Sequence, residues 1–302
     1  MITTSPLRIG TRKSALAIVQ ARQVIAAMDI GTNYELLPIV SSGDRIEGPL
    51  HSCGGKSLFT KELDAALLQG EVDLVVHSMK DVETPLPEGL ELAAVPFRLD
   101  PRDVLITNPS VEIENSDTPI TIGTSSLRRG HQLRFRYPHI SILPCRGNIQ
   151  NRLQKYANGE FGGIILAVAG LMRMGLFNEN RIDSIMADVQ ILDTHSYVPA
   201  PGQGALAVVK RKDDVRFDTV LQKVNCPSSF LAVKIERMIT DALNLSCHDA
   251  VGVYALIEGA LFSVHIILFT PQGQIEKKAN GLLKNRDKII PAFIEEIQQL
   301  RV

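Results

Sequence analysis

Ile9-Gly-Thr-Arg-Lys-Ser14 is similar to a later stretch of the chain, Ile122-Gly-Thr-Ser-Ser-Leu-Arg-Arg129. These two stretches together indicate the fold class. Each places a glycine and hydroxyl side chains where an apolar strand turns into a helix, with cations beside them. Helix N-termini at such turns bind anions through exposed amides. The similarity is short, and chance remains an alternative explanation. The similarity between the two stretches predicts two similarly built α/β lobes that face a shared cleft.

The regions around these stretches alternate between apolar strands and helical patterns. Ser14–Met28 is predicted as a helix, and Asp73–His77 and Gly163–Val168 are predicted as strands. This alternation predicts parallel α/β sheets. Beyond the loop at 199–204 the pattern changes to two alternating runs between helices, which predicts an antiparallel meander. We therefore expect a separate C-terminal α+β domain from about residue 215.

Length and composition narrow the function classes. The 302 residues allow two domains or three small ones. Lys and Arg number 32 against 33 Asp and Glu, a balance that argues against general coating of nucleic acid. No apolar run reaches the ~18–20 residues of a membrane span, and the first residues lack a secretory pattern. The cysteines form no Cys-x-x-Cys pair and the histidines show no metal-ligand spacing, so we expect a cytoplasmic, metal-independent protein.

Positive charge is concentrated in residues 120–159, which contain seven Lys or Arg and no Asp or Glu. Arg128, Arg129 and Arg146 each follow a predicted strand end, where open α/β sheets bind ligands. Comparable positions are occupied by Arg12, Lys13, Ser14, Lys56 and Arg173. Because the arginine fork matches carboxylate or phosphate, these groups indicate a polyanionic ligand. A solvated basic helix face and RNA remain alternatives, although aromatic stacking platforms for RNA are few.

Asp81 directly follows an apolar strand in His77-Ser-Met-Lys-Asp81. A carboxylate among cations at a strand end is a candidate acid/base or a stabiliser of a cationic intermediate. A helix N-cap or a simple partner for Lys80 is an equally open interpretation.

Cys247-His248-Asp249 brings three chemically able residues together. We do not expect a catalytic triad, because triads are assembled from residues separated in sequence. Cys247 is either an accessible thiolate or a plain loop cysteine.

Seven runs follow one another along the chain and belong together. They are Arg8-Ile-Gly-Thr-Arg-Lys-Ser-Ala-Leu-Ala17, Gly54-Gly-Lys-Ser-Leu-Phe-Thr-Lys-Glu-Leu63, His77-Ser-Met-Lys-Asp-Val82, Gly123-Thr-Ser-Ser-Leu-Arg-Arg129, Arg146-Gly-Asn148, Leu166-Ala-Val-Ala-Gly-Leu171 and Pro201-Gly-Gln-Gly-Ala205. In this order they resemble the hydroxymethylbilane synthase family, also called porphobilinogen deaminases. One run alone is a weak signal, whereas the ordered set is specific.

The resemblance implies a three-domain enzyme. Two α/β lobes similar to type II periplasmic binding proteins are expected, residues 1–96 with 198–214 and residues 97–197, with an α+β domain at 215–302. The implied reaction condenses four porphobilinogen molecules into linear hydroxymethylbilane and releases ammonia each time. A dipyrromethane cofactor is expected on Cys247. Neither nucleic acid nor a membrane is an implied partner, and we expect a monomer.

The resemblance also implies roles for individual residues. Asp81 matches the catalytic carboxylate, and no metal ligand is implied. Cofactor contacts are expected at Arg12, Ser14, Lys80, Ser126, Arg128, Arg129 and Arg146. Substrate contacts are expected at Arg12, Arg146, Arg152, Arg173, Gln203, Phe59 and Lys56. The last two lie in a loop expected to cover the cleft.

The chain departs from the family pattern around the cofactor cysteine. Leu245-Ser246 stands where the family usually has Gly-Gly, and His248-Asp-Ala-Val-Gly252 replaces a typical Gln-Val-Pro-Ile-Gly. The first change removes backbone freedom where the cofactor attaches. A degenerate paralogue that binds pyrrole carboxylates with little turnover, and a bilobal solute-binding protein, are therefore the alternatives to an active transferase.

Overall fold

The computed structural model describes residues 5–45, 58–109, 113, 119–178, 181–182, 185, 187–246 and 249–301. The strands are β1 (Leu7–Arg12), β2 (Tyr34–Ile39), β3 (Leu74–Ser78), β4 (Leu90–Ala94), β5 (Asp103–Thr107), β6 (Thr121–Gly123), β7 (Ser141–Leu143), β8 (Gly163–Ala167), β9 (Asp188–Leu192), β10 (Leu206–Arg211), β11 (Val251–Glu258), β12 (Leu261–Thr270) and β13 (Gly273–Leu282). The α-helices are α1 (Ala15–Met28), α2 (Ser42–Arg45), α3 (Lys61–Leu68), α4 (Leu127–Arg136), α5 (Ile149–Ala157), α6 (Val168–Arg173), α7 (Asp218–Val224), α8 (Pro227–Ala242) and α9 (Arg286–Leu300). One-turn 3-10 helices cover Met79–Asp81, Val215–Phe217 and Leu283–Asn285.

The strands in the described ranges form three sheets. The first has the order β2-β1-β3-β10-β4, and the second has the order β7-β6-β8-β5-β9. Strand β10 lies inside the first sheet although all of the second sheet precedes it in the chain. The chain therefore leaves the first lobe after β4 and returns to it at β10. The two α/β lobes predicted from the sequence are confirmed, and the exact domain boundaries stay a prediction.

Both sheets are mixed, so the prediction of parallel sheets is wrong for part of each. Strands β1, β2 and β3 are parallel, whereas β10 runs antiparallel to β3 and β4. Likewise β5 is antiparallel to β8 and β9. The reason is the crossing of the chain. A strand that arrives from the other lobe begins at the carboxyl end of the parallel strands, as Leu206 does opposite Ser78, and must run the opposite way.

The strand β3 is buried on both faces of its sheet. Leu74 and Val76 pack with Ile9 and α1 on one side, while Val75 packs with Leu63 of α3 on the other. A strand covered on both faces is apolar at every position instead of alternating. This explains the continuous run that made β3 recognisable in the sequence.

The similarity between the two opening stretches is structural. Ser14 caps α1, where its Oγ accepts a hydrogen bond from the amide of Ala17 at 3.3 Å. Ser126 caps α4 in the same way through the amide of Arg129 at 3.4 Å. Each serine follows the parallel strand that leads to the cleft, so each lobe presents a capped helix start at its strand ends.

The C-terminal part is an antiparallel meander, β11-β12-β13, covered by α8 and α9. Ile239 of α8, Phe262 of β12 and Ile297 of α9 are buried at its centre. The meander and both helices agree with the sequence prediction. Strand β13 was missed, because the run Gly273–Leu282 is mostly polar and half of it faces solvent.

One buried carboxylate joins this part to the first lobe. Glu236 of α8 is fully buried and forms an ion pair with Arg98 at 2.7 Å. The amides of Gly202 and Ala255 donate to its oxygens at 2.6 and 2.8 Å. Arg98 and Gly202 belong to the two segments by which the chain leaves and re-enters the first lobe. Glu236 therefore holds both crossings against α8.

We predict that Glu236→Gln destabilises the protein far more than its size suggests. The change keeps the shape but leaves the buried guanidinium of Arg98 without its counter-charge, and breaking a buried pair costs about 3–5 kcal/mol. Glu296→Gln is the matched control, since Glu296 pairs with Lys277 at the surface and a surface change costs about 0.5 kcal/mol or less. Urea unfolding measures both, and equal losses would contradict the assignment.

Candidate active site

A cleft of about 490 Å³ opens between the lobes and the C-terminal part. One wall is the segment 79–85, and the opposite wall is the start of α4 at 126–129. The returning crossing, Ala200–Gln203, forms the floor, and residues between Arg237 and Val251 close the remaining side. All parts of the fold therefore contribute to one site.

Asp81 lies in this cleft at the end of the 3-10 turn Met79–Asp81. Its side chain is 26% exposed, and Oδ2 lies 3.6 Å from Nη1 of Arg12. The N-cap position of the turn is Ser78, so the interpretation of Asp81 as a helix N-cap does not fit. A partly exposed carboxylate in the cleft is accessible to a ligand.

Arg12 is held by two neighbours besides Asp81. Its guanidinium is hydrogen-bonded to the carboxylate of Asp44 and stacks 4.3 Å from the ring centre of Phe59. Phe59 lines the cleft, while its predicted role in covering a substrate stays a prediction. Asp44 was missed, because its stretch Ser42-Gly-Asp44 carries no motif by which an isolated acidic residue could be assigned a partner.

Arg128, Arg129 and Gln203 converge on a second buried carboxylate, Asp103. The Arg128 and Arg129 guanidinium groups each approach it at 2.8 Å, and Gln203 Nε2 donates to it at 2.9 Å. Burial favours the protonated carboxyl, but the two arginines outweigh burial and hold the pKa of Asp103 well below its usual range. Asp103 was not predicted from the sequence, although an acidic residue at the start of the apolar run Asp103–Thr107 was a usable signal.

Lys80 remains as a cation without an ion pair among the described residues. Its side chain is half-buried in the cleft wall next to Asp81. Burial lowers the pKa of Lys80 to about 8, and the nearby Arg129 guanidinium adds to the decrease. An anionic ligand in the cleft would supply the missing counter-charge.

Five predicted binding residues within the described ranges lie outside the cleft lining, namely Arg12, Ser14, Arg146, Arg152 and Arg173. Arg152 donates to the carbonyl of Gly147, and buried Arg173 donates to the carbonyl of Gly204 at 2.8 Å. Burial lowers the pKa of Arg173 to about 10. Arg146 has a buried Nη1 that finds no hydrogen-bond partner within the described part of the chain.

Two predicted residues, Lys56 and Cys247, lie outside the described residues. Ser246 and Asp249, which flank Cys247 in the sequence, line the cleft and are hydrogen-bonded to each other at 2.9 Å. No cluster of metal-ligand type occurs in the described ranges. In the same ranges, no helix has the length and apolar character that crossing a membrane requires.

The two mixed sheets with flanking helices, the cation-lined cleft and the small α+β part define a bilobal α/β protein. The chain belongs to the porphobilinogen deaminase family. The family model described as "Porphobilinogen deaminase, dipyromethane cofactor binding domain" matches residues 7–219. The resemblance stated from the seven sequence runs is confirmed.

Individual relatives agree with this assignment. A porphobilinogen deaminase of Syntrophobacter fumaroxidans is 44% identical over 265 residues, which cover 86% of this chain and 83% of that protein. One from a Caulobacter species is 40% identical over 299 residues, which cover 95% of this chain and 91% of that protein. Among solved structures, an arginine-specific periplasmic binding protein of Salmonella typhimurium is 16% identical with a TM-score of 0.41, covering 77% of this chain and 94% of that one.

We predict that anion binding in the cleft weakens as pH rises through the pKa of Lys80. The amine is charged below about 8 and neutral above it, so a bound carboxylate loses a charge-assisted bond worth about tenfold in affinity. Titration calorimetry from about pH 7 to about pH 9.5 measures the change, with a porphobilinogen analogue that lacks the aminomethyl group and is therefore not turned over. Lys80→Met should bind weakly with a flat profile, while exposed Lys284→Met should keep the wild-type slope. A wild-type profile without slope would contradict the role of Lys80.

Proposed function

We propose that this protein is a hydroxymethylbilane synthase that condenses four porphobilinogen molecules on a dipyrromethane primer. The observation that carries the proposal is the Asp81 carboxylate, placed among Arg12, Lys80 and Arg129 in the cleft of a porphobilinogen deaminase family member. Each pyrrole bears acetate and propionate groups, so the growing chain is the polyanion that these cations suit. The balanced net charge of −1 supports a small-molecule ligand rather than nucleic acid. A cytoplasmic monomer is part of the same proposal.

The residues present fit a dipyrromethane group. Within the described part of the chain, three cationic donors have no ion-pair or hydrogen-bond partner of their own, namely the Lys80 amine, the buried Nη1 of Arg146 and the buried Nε of Arg128. Unpartnered buried donors are costly unless a ligand completes them. Arg12, Ser14, Ser126 and Arg129 would complete the set, as the resemblance implies. The bound group would supply a free pyrrole α-carbon as nucleophile.

Asp81 has the position required for the chemistry of the substrate. Each condensation breaks the C–N bond of the porphobilinogen aminomethyl group and releases ammonia, which leaves an electrophilic azafulvene. A new C–C bond then forms to the pyrrole α-carbon, and that carbon loses its proton. The Asp81 carboxylate would stabilise positive charge on the pyrrole nitrogens and accept or return protons. Arg12, at 3.6 Å, keeps Asp81 oriented.

We further propose that Cys247 carries the cofactor. The neighbours Ser246 and Asp249 both line the cleft. A group attached at Cys247 would thereby enter the cleft that holds Asp81. The family model ends before this cysteine, so its role depends on the motif and on its lining neighbours.

We expect the purified protein to exceed its sequence mass by two linked pyrrole units. Intact-mass spectrometry measures the adduct, which should be absent in Cys247→Ser because no thioether can form. Cys226→Ser is the control and should keep the adduct. An unmodified mass in an active preparation, or an adduct that survives Cys247→Ser, would refute the attachment.

We expect Asp81→Asn to abolish nearly all turnover of porphobilinogen and Asp81→Glu to retain part of it. Loss of one electrostatic stabiliser costs about 10²–10³ in rate, and loss of a proton-transfer group adds to that. Turnover is measured as ammonia released and as uroporphyrin absorbance after acidification. Thermal midpoints should change little, because Asp81 is partly exposed and outside the core.

Asp29→Asn is the control for the charge change. Asp29 is exposed at the end of α1 with φ 50°, a conformation that asparagine also tolerates. The turnover of the Asp29→Asn variant should equal that of the wild type. An Asp81→Asn variant with wild-type turnover would remove Asp81 from the mechanism. A wild-type protein that binds porphobilinogen without releasing ammonia would instead support the degenerate paralogue.

A further inference from the structure

Arg237 on α8 holds the backbone that directly follows Asp81. Its Nη1 donates to the carbonyl of Val82 at 2.9 Å, and its Nη2 donates to the carbonyl of Glu83 at 2.6 Å. The amide of Val82 in turn donates to the carbonyl of Met79, which closes the 3-10 turn. Val82 is therefore fixed on both sides, by the turn itself and by an arginine from a different part of the fold.

The guanidinium of Arg237 occupies a place that is unfavourable for a charge. Burial lowers the pKa of Arg237 to about 10, and the negative charge of Asp241 offsets part of this decrease. Arg237 makes no ion pair among the described residues, so the two carbonyls are its main compensation. A rigid planar fork with two backbone acceptors fixes their relative orientation, which a single-point lysine donor cannot do.

Adjacent residues of α8 thus hold opposite sides of the cleft. Glu236 binds Arg98 and the amide of Gly202 at the floor, while Arg237 binds the wall that carries Asp81. The same helix leads into the segment with Ser246 and Asp249. Its position therefore sets the distance between the Asp81 turn and the side of the cleft that the C-terminal part contributes.

We propose that Arg237 is a positioning residue, which holds the Asp81 turn in the geometry that the condensation needs. The proposal rests on the proposed function. Ligand carboxylates have other cationic partners, so loss of Arg237 should change the chemical step more than substrate binding. A misplacement of about 1 Å at a reacting group costs on the order of 10² in rate.

The experiment compares Arg237→Met, Arg237→Lys and the control Lys234→Met. Lys234 is an exposed cation on the same helix, three residues before Arg237. We expect Arg237→Met to lower kcat about ten- to a hundredfold with KM within about threefold of the wild type. Arg237→Lys keeps the charge and one donor and should recover part of kcat. Lys234→Met should match the wild type in both constants.

A second readout does not depend on turnover. Hydrogen–deuterium exchange in the peptide 79–86 should be faster in Arg237→Met than in the wild type, while exchange in β10 should be unchanged. Hydrogen–deuterium exchange also keeps the test decisive if the methionine variant folds poorly, because exchange in Arg237→Lys can be measured in the same way.

Several results would overturn the positioning role. They are an unchanged kcat, a raised KM with unchanged kcat, and exchange in the peptide 79–86 that equals the wild type. Failure of the proposed function looks different, since the wild-type protein itself would then consume no porphobilinogen.

Discussion

The buried carboxylate of Glu236 is the contact on which the arrangement of the cleft depends. Its oxygens accept hydrogen bonds from Arg98, Gly202 and Ala255, so one side chain joins α8, both interlobe crossings and the C-terminal sheet. A buried charge is tolerated only when it is paired and fully hydrogen-bonded. Each donor is therefore constrained to its place, and the floor of the cleft is fixed relative to α8.

The basic residues of the site differ in how far their charges are already paired. Arg128 and Arg129 neutralise buried Asp103 and thereby hold the start of α4 at the cleft wall, while Nε of Arg128 keeps no hydrogen-bond partner within the described residues. Lys80 in the cleft and Arg146 outside its lining also retain donors that no described residue completes. The sequence thus contains arginines that already form a structural ion pair beside basic residues without one. Local sequence cannot separate the two, because the distinction depends on a carboxylate that lies distant in the chain.

Much of the fold followed from local signals. The strand-to-helix turns before α1 and α4, the buried strand β3 and the C-terminal meander were predicted because each depends on neighbouring residues or on periodicity. The directions of β5 and β10 could not be predicted from local signals, because both strands pair with strands that are remote in sequence. The polar strand β13 escaped prediction for a related reason, because its place is set by pairing with β12.

The family, the two-lobe design, the concentration of basic residues and the choice of Asp81 as the candidate carboxylate could all be predicted from the amino-acid sequence. These depend on ordered motifs and on the chemical type of single residues. The contacts that Asp103, Glu236, Asp44 and Arg237 make around the cleft could not be predicted in this way, because each joins partners that are remote in the sequence. Local patterns are readable because their partners are sequence neighbours, whereas such long-range contacts exist only after the chain has folded.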